Sequence, residues 1–265
     1  MRVAPGTLRR RRGGRARARR VLLALLLALS ARVEAGGILS LGLCTDWLLA
    51  YHARPEQVVA LSPLYRQNPL PVAGRSWPTH EGSLEQIYRL HPDLVLASEF
   101  SAPQLRRRLQ TLGVRVEVLP LPRDLAGIER NERRLLELLG QSPDRARAAP
   151  AARTPAADAP RLLLLGANGI GTGTGTFEDR ILRQAGWRNY LAAPGYQALD
   201  LEQLVRDPPD GILTAAPRSP ALANRFAALP LLQRLNPPAR WLDSEAWRWQ
   251  CPGPWTWDLI EQLQP

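Results

Sequence analysis

A chain of 265 residues with 45% apolar and 22% charged residues has room for about two ordinary globular domains and is not a disordered protein. Its net charge of +11 would suggest a nucleic-acid or membrane-surface partner, but residues 1–35 hold ten Arg against the single acid Glu34, and removing them leaves +2. All the basic residues are Arg and none is Lys, which points to codon bias rather than phosphate recognition, so no nucleic-acid partner is expected.

The Arg-rich start runs into an unbroken Val, Leu and Ala segment at residues 21–29 and then into small residues ending at Ala35. That order is the one of a secretory signal, and the apolar run is too short to span a bilayer. Residues 1–35 are therefore read as a signal peptide cleaved near Ala35, by the general or the twin-arginine route. The chain is expected to be exported.

Beyond it, short apolar runs alternate with helical stretches, the pattern of α/β units on a parallel sheet. In the first half strands are expected at residues 38–41, 58–61, 94–97 and 114–118, with helices at 46–52, 84–90 and 103–112. An amphipathic helix at 125–140 follows, then a stretch at 141–160 rich in Ala, Arg and Pro, which Pro150, Pro155 and Pro160 keep from being one helix. That stretch is expected to be loose. In the second half strands are expected at 162–166, 211–214 and 240–242, and helices at 177–185, 201–206 and 255–263.

An internal echo ties the halves together. SLEQIYRLHPDLVLA at residues 83–97 and DLEQLVRDPPDGILT at 200–214 are identical at seven of fifteen positions. Each copy opens with a helix cap, Ser83 or Asp200, and places Gln three residues later, as a capping box does. Each then carries apolar residues on one face (Leu84, Ile87 and Tyr88; Leu201, Leu204 and Val205), a Pro-Asp stop and an apolar strand. The division expected is an N-terminal lobe at 36–124, a connector at 125–160 and a C-terminal lobe at 161–265.

Ligands of such folds sit outside the carboxyl ends of the strands. The loop at 245–257 carries Trp247, Trp249, Trp255 and Trp257, half of the eight Trp, and suits a large flat or apolar ligand. Trp247 and Trp249 are the cleft candidates, since Trp255 and Trp257 open a helix and can be core anchors. Trp77 and His80 are further candidates by position. Cys44 and Cys251 also fall in strand-end loops, one in each lobe. In an oxidising compartment they can pair; because a bridge would lock the lobes, two free or ligand-contacting thiols are the preferred expectation. GANGIGTGTGT at 166–176 lacks the Gly-Lys-Ser/Thr ending of a phosphate loop. Three His, scattered as His52, His80 and His91, do not make a bare-metal site. Neither a G-x-S-x-G elbow nor an HExxH is present, which leaves a secreted α/β hydrolase as the alternative of another class.

The stretch ILSLGLCTDWLLAYHARPEQVVALSP, the Gly-Ser-Leu-Glu helix before HPDLVLA, the segment GTGTFEDRILRQAGWRN and the closing ARWLDSEAWRWQCPGPWTWDLI resemble, in order and spacing, periplasmic binding proteins for cobalamin, haem and ferric siderophores. The resemblance implies two Rossmann-like lobes with parallel sheets, joined by a single helical connector, with a ligand cleft between them. It implies a monomer without a cofactor that delivers a corrinoid or metal chelate to an ABC permease dimer in the inner membrane. It also implies docking through one exposed Glu on each lobe, here Glu85 and Glu202, which sit at the same point of the echo near a helix N-terminus. The short, Pro-studded connector departs from the long helix of such proteins.

Overall fold

Residues 37–72, 74–214, 222–235 and 241–265 are described by the computed structural model; the signal peptide read over residues 1–35, and Arg240 of the last expected strand, lie outside them. Four apolar runs form the first sheet: β1 (Ile38–Ser40), β2 (Val58–Ala60), β3 (Leu94–Ser98) and β4 (Val116–Leu119), all parallel, in the order β2-β1-β3-β4. Successive strand residues point to opposite faces, and both faces are covered. On one face Ile38, Leu94 and Leu96 pack against Trp47, Leu48 and Leu49 of α1 (Leu43–His52). On the other, Leu39, Val95 and Ala97 pack against Ile87 of α3 (Leu84–Arg89) and Leu109 of α4 (Pro103–Thr111). A one-turn helix, α2 (Leu64–Gln67), lies between β2 and α3.

The second sheet is mixed. Its core is parallel, β10 (Trp241–Asp243), β9 (Gly211–Thr214) and β5 (Arg161–Leu165), with β7 (Arg188–Asn189) also parallel to β5. The sheet then continues through β6 (Ile170–Thr172) and β8 (Tyr196–Ala198), both antiparallel; these two and β7 are strands the sequence does not lead one to expect. Leu162, Leu164 and Leu213 face α6 (Phe177–Ala185) and α9 (Trp255–Gln262), while Leu163, Leu165 and Ile212 face Leu204 of α7 (Leu201–Arg206) and Leu232 of α8 (Pro230–Leu235). Two α/β layers, each with its own core, result.

The amphipathic connector is α5 (Leu125–Leu138), started by Asp124, whose Oδ1 accepts the Gly127 amide at 2.7 Å. It bridges the two cores: Ile128 is buried in the second, and Leu135 and the capping residue Leu139 in the first. Each such side chain contributes about 1.5–3 kcal/mol by burial, so this helix is anchored in both lobes. The Pro-rich stretch after it is not loose as expected. Its Arg147 and Ala149 amides donate to Glu132 Oε2 (3.2 Å) and Glu129 Oε2 (2.9 Å) of α5, and Arg147 Nη1 reaches Asp258 of α9 at 2.6 Å. Arg153 N donates to Gln184 Oε1 and Gln184 Nε2 to Ala151 O, both at 3.0 Å. Proline removes helical donors, and carboxylates of the connector take up the amides that remain.

The echoed units fold alike. Ser83 Oγ accepts from Gln86 N at 3.3 Å, and Asp200 Oδ1 accepts from Glu202 N and Gln203 N at 2.9 and 3.2 Å. The reciprocal half of the first capping box differs, since Gln86 Oε1 accepts from Glu81 N instead of the cap. Ile87 and Leu204 are buried as expected, but Tyr88 and Val205 are 45% and 52% exposed, so the apolar face is narrower than the spacing implies.

Candidate ligand-binding site

Where β1 ends, the chain turns through Gly42 into α1. A Cβ at Gly42 would overlap Ser101 Oγ, so glycine lets the loops after β1 and β3 lie side by side. α1 begins three residues before the expected start, because Asp46 does not cap it. Asp46 is buried, and its Oδ1 and Oδ2 accept from Ser62 N (2.8 Å) and Ser62 Oγ (2.5 Å), which ties α1 to the end of β2. Burial pushes the Asp46 carboxyl up to about 6, against the hydrogen bonds from Ser40 and Ser62 that favour its ionised form.

His80, a candidate for lining the site, is part of this support. It is buried, and the Gly82 amide donates to its Nδ1 at 2.9 Å, so the ring proton sits on Nε2, 2.8 Å from the Ser40 carbonyl. Desolvation holds its pKa below the ordinary value. Trp77, likewise a candidate, is buried in the first-lobe core, with the Arg75 guanidinium 5.5 Å from its ring centre.

The surface at the strand ends comes from residues that the spacing did not single out. Phe100, two residues after β3, is 71% exposed, and Leu121, two after β4, is 42% exposed. Their loops are braced. Leu121 N donates to Glu99 Oε2 at 3.0 Å, Arg123 lies 3.6 Å from Glu99 Oε1, and Arg106 donates to the Ser98 and Glu99 carbonyls at 3.3 and 3.0 Å. A lone aromatic immediately after a strand, next to an acid, is the sequence signal that could have found Phe100. In the second lobe the Gly-rich run forms a hairpin edge and no phosphate loop. Gly173 N donates to Gly195 O at 2.7 Å, a Cβ there would strike the Ala193 carbonyl, and Thr176 caps α6.

The loop from β10 to α9 joins the lobes. Cys251 is disulfide-bonded to Cys44 in the first turn of α1, with the Cα atoms 5.2 Å apart. The preferred expectation of two free thiols is therefore corrected: both residues sit where strand-end loops of the two lobes meet, close enough to bond, and Cys251 is 1% exposed. Trp247 is half-buried against the first-lobe core, its ring 5.7 Å from Trp47 and 6.1 Å from Trp255, with no partner for its Nε1. Trp249 is half-buried against the second-lobe core and donates to Ser244 Oγ at 2.7 Å. Trp255 and Trp257 are core anchors.

Glu85 and Glu202 are both exposed, and each lines a groove beside its repeat helix. The first groove, about 590 Å³, adds Leu84, Leu105 and Arg108; the second, about 510 Å³, adds Leu201, Val205, Arg206 and Leu231. A further cavity of about 580 Å³ lies elsewhere, beneath the Pro-rich segment between the start of α5 and α6. Among the described residues no three His, Cys, Asp or Glu side chains group as metal ligands, and no helix is long and apolar enough to cross a membrane.

A periplasmic binding protein family matches residues 62–239. Among solved structures, a periplasmic haem-binding protein of Pseudomonas aeruginosa is similar at 26% identity and a TM-score of 0.62, with 86% of this chain and 91% of that one covered. A periplasmic haem-binding protein of Vibrio cholerae matches at 18% identity and a TM-score of 0.66, with 86% and 96% covered. The periplasmic vitamin B12-binding protein of the same organism matches at 20% and 0.56, with 87% and 95% covered. A search of curated protein sequences gave no match.

Proposed function

Because this chain belongs to the periplasmic binding protein family, we propose that it is the solute-binding component of an ABC importer, taking a haem-, corrinoid- or siderophore-like ligand from the periplasm. The ligand is held where the strand ends of the two lobes converge, against Phe100 and Leu121 of the first lobe and Trp247 and Trp249 of the loop between lobes. The single observation that carries this is the exposure of Phe100 and Leu121 on braced strand-end loops, an apolar surface that the fold leaves open at the position where α/β proteins bind ligands. The half-buried rings of Trp247 and Trp249 extend that surface with stacking area suited to a macrocycle. Cys44, Trp77, His80 and Cys251 hold these loops in place without touching the ligand.

Delivery uses the two echoed helices. Glu85 and Glu202, on equivalent turns of two similar lobes, present matched anions to a two-subunit permease in the inner membrane, and the grooves beside them admit side chains of that partner. The protein acts as an exported monomer.

Titration of the purified protein with hemin, cyanocobalamin and a ferric hydroxamate, followed by absorbance and tryptophan quenching, tests the reading. One of the three is expected to saturate at 1:1 without being chemically altered. Turnover of the ligand, or no saturable binding by any of them, would overturn it.

A further inference from the structure

We propose that the Cys44–Cys251 disulfide is a redox-sensitive clasp that positions the tryptophan loop between the lobes, so that its reduction frees that loop; its effect on affinity rests on the carrier reading above. Cys44 lies in α1, four residues past the end of β1, and Cys251 lies eight residues past the end of β10. The bond is thus a covalent link between the strand-end loops of two separately cored lobes. The loop's other holds are side-chain contacts: Trp247 and Trp249 pack on the two cores, Trp249 donates to Ser244 Oγ, Arg248 pairs with Glu245, and Arg147 Nη1 donates to the Pro254 carbonyl. Between Asp243 and Trp255 the regular structure is one short 3₁₀ turn, Ala246–Trp249, with backbone bonds from Arg248 N to Glu245 O and from Gln250 N to Trp247 O.

Trp247 packs in this loop with its indole N–H buried and unpartnered, an arrangement that a free loop would relieve by turning the ring toward water. Packing against Trp47 and Trp255 opposes that turn, and the tether four residues on limits how far the loop can move away from them. It also reaches forward, since Trp255 Nε1 donates to the Cys251 carbonyl at 2.7 Å, coupling the bond to the ring that stacks edge-on against Trp47.

The exchange is directional. Cys251 is 1% exposed whereas Cys44 is half-buried, so an incoming thiolate from a dithiol reductant of the thioredoxin class meets Cys44 Sγ. Attack forms a mixed disulfide on Cys44, and Cys251 leaves as a thiolate that takes up a proton. The second thiol of the reductant then displaces Cys44 as a thiol. Two electrons and two protons pass to the protein, and the reductant closes to its own disulfide.

The test is hydrogen exchange on the full protein, oxidised and after reduction by dithiothreitol, with the Cys44→Ser/Cys251→Ser double variant as a second route to the open state. Residues 244–253 and the first turn of α1 are expected to exchange at least tenfold faster on reduction, beyond any acceleration in β3 and β9. An equal acceleration throughout would make the bond a staple of the whole fold, and no acceleration would make it idle; either result overturns the clasp. In parallel, whichever of hemin, cyanocobalamin and ferric hydroxamate binds the oxidised protein is expected to bind the reduced protein at least fivefold more weakly, and equal affinity would overturn the positioning role. If none binds the oxidised form, the carrier reading fails while the exchange result still decides the clasp.

Discussion

Trp255 and Trp257, two positions apart at the start of α9, are buried in different lobes: Trp255 sits among Trp47, Leu135 and Leu139, and Trp257 among Ile128, Leu162 and Ile260. The chain therefore crosses from one core to the other within half a helical turn, close to where α5 makes the same crossing. These crossings and the Cys44–Cys251 disulfide link the two lobes.

Replacing either ring by Ala leaves a cavity in one core. Each of Trp255→Ala and Trp257→Ala is expected to cost about 3–5 kcal/mol in urea unfolding. Trp255→Ala should in addition alter the near-ultraviolet circular dichroism of the Trp47–Trp247–Trp255 cluster, a change that Trp257→Ala should lack.

The buried Asp46 makes stability depend on acid in the less common direction. Its folded pKa of about 6 lies above the ordinary 3.8, so the folded state holds the proton more tightly and this carboxyl favours folding below pH 4. That contribution is lost as the pH rises through 6. The stability of the native protein relative to Asp46→Asn should fall by about 3 kcal/mol between pH 3.5 and pH 7, measured by urea unfolding of both proteins at each pH. A difference that stays constant with pH would show that Asp46 titrates normally.

The Pro-rich segment is held by carboxylates on α5. Glu129→Ala removes the acceptor of the Ala149 amide and is expected to speed tryptic cleavage after Arg147 and Arg153 several-fold. Cleavage after the exposed Arg180 and Arg183 of α6 serves as the internal reference. Equal rates in both proteins would mean that the segment opens without that bond.

Glu85 and Glu202 stand free of the cores, so removing them should leave the fold intact. The double variant Glu85→Ala/Glu202→Ala is expected to bind ligand with unchanged affinity while transport by the reconstituted importer falls at least tenfold. Undiminished transport would remove the docking role.

Most of the fold is legible in the residues. The ends of α6 are written by the Thr176 cap and by Gly186, which takes φ +110 where other residues strain. The parallel strands are continuous apolar runs. β6 and β8 escaped because their pairing depends on Gly171 and Gly173, which carry no β signal yet permit close backbone approach. The site was harder to read. A tryptophan's burial is not written in its own residue type, so that Trp77 is buried is visible only in the fold. The Cys44–Cys251 bond spans 207 residues and follows only from how the two lobes close.

The most direct test of the carrier account is hydrogen exchange of the full protein with and without the ligand that saturates it, among hemin, cyanocobalamin and a ferric hydroxamate. The account predicts slowed exchange in both lobes at once, in residues 98–102 and 119–123 on one side and 244–250 on the other. Protection confined to one lobe, or found instead beneath residues 149–157, would contradict it.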